Sequence, residues 1–160
     1  MRLSAILIAL TLAAPATAQD RYLSFVVATE HFGTDTLNNF NPGLAYGERS
    51  EGPWGSEQSW EVGIVYNSYE EIAPFALYSL SWEVARPSER VSLRAGGFVG
   101  IAYYERLAEI ISAPNVAGYM PIGGLTGLAR VDETTDFRFT LLPAGAGIDA
   151  IVNFSVARRF

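Results

Sequence analysis

The chain holds one histidine, His31, and no cysteine. Imidazole exchanges protons near neutral pH, so His31 is the natural general base here, and a serine brought beside it would be a nucleophile or a polarising hydroxyl. The missing thiols exclude cysteine catalysis, thiolate metal sites and disulfides. One histidine among dispersed carboxylates is a poor ligand set for a transition metal. Asp35, followed by Asn38 and Asn39, would offer a hard cation a single carboxylate and reads better as a solvated polar loop. Gly96-Gly97 and Gly123-Gly124 have no helix after them to cradle a phosphate, so they mark close packing or space for an apolar chain. No metal and no cofactor are expected.

The serine that meets His31 depends on the elements that carry both. From Tyr22 onward, short stretches rich in β-branched and aromatic residues alternate with Gly, Pro, Asn and acidic punctuation, and no long segment has a helical period. The expected strands are 22–31, 43–49, 58–67, 74–84, 91–104, 119–131, 137–142 and 148–160. Residues 106–117 are left as a short helix or an extended loop. Polar turns at 50–57, 86–89 and 132–136 fall at one end. Connections at 33–41, 68–73, 105–117 and 143–147 fall at the other. His31 ends the first strand and Ser68 follows the third. Both strands run the same way, which brings both residues to one rim.

Before the strands come a basic residue, Arg2, an apolar run over 6–14 and the small-residue sequence Ala16-Thr17-Ala18. These are the three parts of a secretory signal, so residues 1–18 are expected to be removed and 19–160 to form one domain. The apolar run is well short of the roughly 20 residues of a spanning helix. After position 18 there are 17 acidic residues against 10 arginines and no lysine. With no basic cluster, nucleic acid is not expected as a partner.

Side-chain alternation separates a membrane barrel from a soluble sandwich, which the 49% hydrophobic composition does not. In the last strand Phe154, Val156 and Phe160 share a face, opposite Asn153, Ser155 and Ala157. In the third, Trp60, Val62, Ile64 and Tyr66 oppose Glu61, Gly63, Val65 and Asn67, with aromatics closing both ends of the apolar row as interfacial girdles do. In the fifth, the row Ser92, Arg94, Gly96, Phe98, Gly100, Ala102 suits a narrow lumen. A terminal phenylalanine on such a strand resembles the signature of outer-membrane barrels. Eight strands of about 9 to 11 residues fit the chain length. The expected fold is all-β: an eight-stranded antiparallel up-and-down transmembrane β-barrel of the bacterial outer membrane, acting as a monomer.

Short motifs in conserved order extend this. Thr29-Glu30-His31, Asn67-Ser68-Tyr69, Met120-Pro121-Ile122, Leu142-Pro143-Ala144 and the closing Asn153-Phe154-Ser155-Val156-Ala157-Arg158-Arg159-Phe160 resemble the lipid A palmitoyltransferase (PagP) family. Members are eight-stranded outer-membrane barrels that move an acyl chain from a phospholipid to lipid A. The resemblance implies those two lipids as partners and an active site at His31, Asn67 and Ser68. Asn67 stands where the family has an aspartate; an amide can orient an imidazole but does not stabilise its charged form as a carboxylate does. The resemblance also implies lateral openings for lipid tails at Pro121 and Pro143, since proline donates no ladder hydrogen bond. The family's amphipathic N-terminal helix has no room in residues 19–21. The alternative is a non-enzymatic barrel that supports the envelope or binds through its outer loops.

Overall fold

The computed structural model describes residues 20–160 except 35, 112–113 and 146–147. The expected signal segment lies outside the described residues. Eight strands follow one another: β1 Asp20–Phe32, β2 Gly43–Glu51, β3 Glu57–Tyr66, β4 Ile72–Ala85, β5 Ser92–Tyr103, β6 Tyr119–Arg130, β7 Thr135–Gly145 and β8 Ile148–Arg159. Each pairs antiparallel with the next, and β8 pairs with β1, closing an up-and-down barrel. Closure gives every strand two neighbours.

One connection left open by the sequence is settled, and one strand differs from the sequence-based expectation. Residues Glu105–Ile111 form a helix, α1, with Ala108 buried and the Ala108 N–H donating to the Tyr104 carbonyl at 2.9 Å. β7 is longer than 137–142 at both ends, because β8 pairs with it from Thr135↔Arg158 to Gly145↔Ile148. Pro143 therefore lies within a strand, opposite Ala150, and not beyond its end.

The alternation in side-chain direction sorts the residues as period two requires. Trp60, Val62, Ile64 and Tyr66 are exposed outside, while Glu61 and Asn67 are buried inside. In β5, Val99 and Ile101 face out and Ser92, Phe98 and Ala102 are buried. In β8, Phe154 is outside and Ala157 fully buried.

Strand β1 breaks this rule once. Tyr22 and Ser24 point inward while Leu23 and Phe25 are exposed, so continued alternation would turn His31 outward. The β1–β8 register instead shifts between Val26 and Ala28, from Val26↔Ser155 to Ala28↔Phe154. This bulge inserts Val27 as an extra, exposed residue, after which Thr29 and His31 are buried. The catalytic candidate thus owes its inward direction to the bulge, which takes one residue of an odd spacing out of the alternation.

The lumen end opposite His31 is filled by charge. Asp136, fully buried, accepts from Arg49 and from Arg130 Nε at 3.3 Å. Glu57 accepts twice from Arg130 Nη2 at 3.1 Å, and Arg138 pairs with Glu61 at 2.7 Å. Tyr22 lies under the Arg49 and Arg138 guanidiniums, at 4.6 and 5.5 Å from its ring centroid. Gly47 makes room for that ring: a Cβ there would come within 2.3 Å of it. Breaking such buried pairs one partner at a time costs about 3–5 kcal/mol.

Candidate functional site

Three segments meet at the mouth opposite the charged plug: the end of β1, the β1–β2 connection and the β3–β4 turn. Ser68 Oγ lies 2.8 Å from His31 Nε2. The other ring nitrogen, Nδ1, is 2.7 Å from Asn39 Oδ1. Nucleophile, base and orienting group are therefore in hydrogen-bond sequence. Asn39 holds that place because its backbone folds back along β1. The β1–β2 ladder ends at Val26↔Gly43, and beyond it the Thr29 N–H donates to the Asn39 carbonyl at 3.0 Å.

Asn67 was expected to orient His31, and the structure gives it different partners. Its Oδ1 accepts the backbone N–H groups of Tyr69 at 2.9 Å and Glu71 at 3.0 Å. Its own N–H donates to the Glu71 carbonyl at 2.8 Å and its carbonyl accepts from Glu70 N–H at 3.0 Å. Asn67 thus closes the five-residue turn that presents Ser68, as short polar side chains do in turns. The turn is tight enough to hold Glu70 in the left-handed region at φ 64°. Asn39, in a connection read as a solvated loop, takes the orienting position. Its signal in the sequence is slight: an amide eight positions after the histidine, detectable only once the loop is known to fold back.

Beneath the pair lies a cavity of about 290 Å³. His31, Asn41, Asn67 and Ser68 border its mouth, and Glu61 and Arg138 are at its base. Between them the walls are mainly apolar: Val26, Val65, Phe75, Leu77, Phe98, Met120, Ile122, Leu142 and Ile151. Leu107 of α1 and Tyr69 also border it, and the Arg106 guanidinium ties α1 to the Tyr69 carbonyl at 2.9 Å. Burial raises the Tyr69 phenol above its ordinary range, so it stays neutral at the mouth.

Pro121 and Pro143 both line this cavity and are both exposed on the outside. They stand on neighbouring strands at a gap. β6 and β7 pair from Leu125↔Leu141 down to Arg130↔Asp136, and the ladder goes no further toward the mouth. Above Leu125, β6 stays paired with β5 through Pro121↔Ile101, and above Leu141, β7 stays paired with β8 through Pro143↔Ala150. The wall is thus split along one seam. Gly124 sits at its lower end, where a Cβ would meet the Leu141 carbonyl oxygen at 2.2 Å, so the two backbones approach closely just before they part.

No protein-family model matches the chain, and no curated protein matches it. Fold and site together define a class: a closed eight-stranded antiparallel barrel with a serine–histidine pair over an apolar internal cavity.

Proposed function

We propose that the protein is an outer-membrane acyltransferase that moves an acyl chain from a phospholipid to lipid A or another outer-leaflet lipid. The observation that carries this is the His31–Ser68 contact at the mouth of an apolar cavity whose wall includes Pro121 and Pro143, on the two strands whose ladder stops short of them. Ester exchange needs a base, an activated hydroxyl and a dry place for the chain, and no cofactor.

Membrane placement is supported by the apolar exterior. Phe25, Leu44, Val62, Ile64, Val99, Leu125, Phe139 and Phe154 are exposed on it, and an apolar band of this kind suits lipid. The secretory signal read at 1–18 agrees with export. Backbone groups left unpaired in lipid cost several kcal/mol each, so a split ladder belongs where a ligand or another segment enters. The Pro121–Pro143 seam is accordingly the entry for a lipid tail.

In the reaction, His31 Nε2 takes the Ser68 proton as Oγ adds to the donor ester carbonyl. The bond to the lysophospholipid oxygen then breaks, and that oxygen leaves with the proton from His31. In the second half an acceptor hydroxyl gives its proton to His31 and takes the acyl group from Ser68. The test is lipid mass spectrometry of cells with and without the gene, under conditions of abundant expression. An added acyl chain on lipid A or another outer-leaflet lipid is expected only with the gene. An unchanged profile rejects the reading.

A second reading is a non-enzymatic barrel, favoured by the amide at position 67, which is spent on closing a turn. H31A and S68A separate the two, because a structural barrel keeps its envelope phenotype in both variants.

A further inference from the structure

The site has an amide where a carboxylate would stabilise the charged imidazole. A carboxylate nevertheless stands one residue away along β1. Asn39 Nδ2 donates to Glu30 Oε2 at 3.3 Å, while Asn39 Oδ1 is 2.7 Å from His31 Nδ1.

The direction of every bond in this chain follows from its far end. An ionised carboxylate only accepts hydrogen bonds, so the end of the Asn39 amide that faces Glu30 is the NH2. The end that faces His31 is then the oxygen, also an acceptor only. Nδ1 must carry the ring hydrogen, which leaves the Nε2 lone pair toward Ser68, 2.8 Å away. Asn41 is fixed in the same manner: its Nδ2 donates to the Tyr66 carbonyl at 3.1 Å, turning Oδ1 toward Ser68 Oγ at 3.2 Å. The hydroxyl therefore faces two acceptors, and the nearer is the imidazole.

We propose that Glu30, acting through the Asn39 amide, is the positioning carboxylate of His31, so that Ser68, His31, Asn39 and Glu30 form one donor chain running in a single direction. The proposal rests on the reading of His31 and Ser68 as the reacting pair. The β1 bulge makes the geometry possible, because it turns His31 inward while Glu30 remains exposed on the opposite side, and Asn39 spans the open edge between them. Glu30 and Asn39 touch no reacting atom. They hold the ring in the tautomer that accepts the Ser68 proton, and the carboxylate favours the cation that forms, through a polarised amide.

His31 is the only histidine, so nitrogen NMR of the full chain labelled with 15N-histidine in detergent micelles reads this site alone. The wild type is expected to show Nδ1 protonated and Nε2 as a bare lone-pair nitrogen. N39A is expected to lose that preference and give a mixture of tautomers. E30Q removes the acceptor-only end of the chain, so the Asn39 amide is free to turn over; the tautomer preference is expected to weaken and kcat to fall about 10-fold with KM within about twofold. In the double variant E30Q/N39D the carboxylate moves directly against Nδ1, and both the tautomer and the wild-type kcat are expected to return.

An Nε2-protonated ring in the wild type, or an N39A spectrum identical to it, overturns the relay. So does E30Q/N39D remaining as slow as N39A while both are folded. The NMR result needs no turnover: the expected tautomer with no lipid product rejects acyl transfer and leaves the chain of bonds standing, whereas active enzyme with the wrong tautomer rejects only the relay.

Discussion

His31 Nε2 and Ser68 Oγ meet at 2.8 Å across 37 positions of sequence, and each reaches the meeting point by a local device. A bulge in β1 turns His31 inward, and an asparagine-closed turn after β3 holds Ser68 above the cavity. Neither device lies in the pair itself, so each can be removed separately.

Deleting Val27 removes the extra residue of the bulge and restores simple alternation from Tyr22 onward. His31 then stands an even number of residues after Tyr22 and keeps its inward direction, with β1 pairing β8 in an unbroken ladder. Transfer is expected to persist while the barrel still forms, as read by heat-modifiable electrophoretic mobility beside the lipid assay. Inserting a further residue at this point, which turns His31 outward unless a second bulge forms, is expected to lower transfer to the level of H31A.

Asn67 supports Ser68 through the backbone and not through the imidazole. N67A leaves the Tyr69 and Glu71 N–H groups without their acceptor, at a cost of about 1–3 kcal/mol, and is expected to lower both stability and transfer. N67D keeps the oxygen acceptor and is expected to retain the turn. A denaturant titration of the two variants compares them directly.

Replacing both prolines, P121V/P143V, returns two N–H donors to the strands that flank the seam. Donor entry is expected to slow, raising KM for phospholipid or lowering the rate at subsaturating donor. Barrel stability should hold or rise. Unchanged kinetics with a closed seam would place the entry elsewhere.

Asp136 is fully buried under the Arg49 and Arg130 guanidiniums. D136A takes from Arg49 its hydrogen-bonded carboxylate and from Arg130 one of two, the other being Glu57, and is expected to destabilise the barrel by about 3–5 kcal/mol. Because the charged plug lies at the far end from His31, the folded fraction should keep its activity.

Asp132, in the turn between β6 and β7, is lowered to about 2, first by the Thr134 backbone N–H and then by the Thr134 hydroxyl and the Thr135 N–H. A depressed folded-state value means that its contribution is complete above the free carboxyl range, near pH 4, and is lost as pH falls toward 2. The stability difference between wild type and D132A should therefore shrink over that window, measured by unfolding at pH 7 and at several points below 4.

The eight strands were legible because one face of each carries apolar side chains and the other small or polar ones. The row Trp60, Val62, Ile64, Tyr66 is unbroken, and so is its partner row. The β1 bulge was not legible, since Val26, Val27 and Ala28 are apolar on either side of the shift and carry no phase signal. Pro143 read as the end of β7, because a proline usually ends a strand with two neighbours; here β6 has already withdrawn. His31 and Ser68 were found from topology, as both lie at the ends of strands that run the same way to one rim. Asn39 was hidden, because its position depends on a backbone bond to Thr29 made only after the connection folds back.

The central claim is the transfer itself. Purified wild type, H31A and S68A would be given a phospholipid with deuterated acyl chains and lipid A in mixed micelles, and the products followed by mass spectrometry. The account predicts labelled acyl groups on lipid A with an equal amount of lysophospholipid for the wild type, and at least about a 100-fold loss in both variants. Label remaining on the donor in all three, or equal transfer in all three, would contradict it.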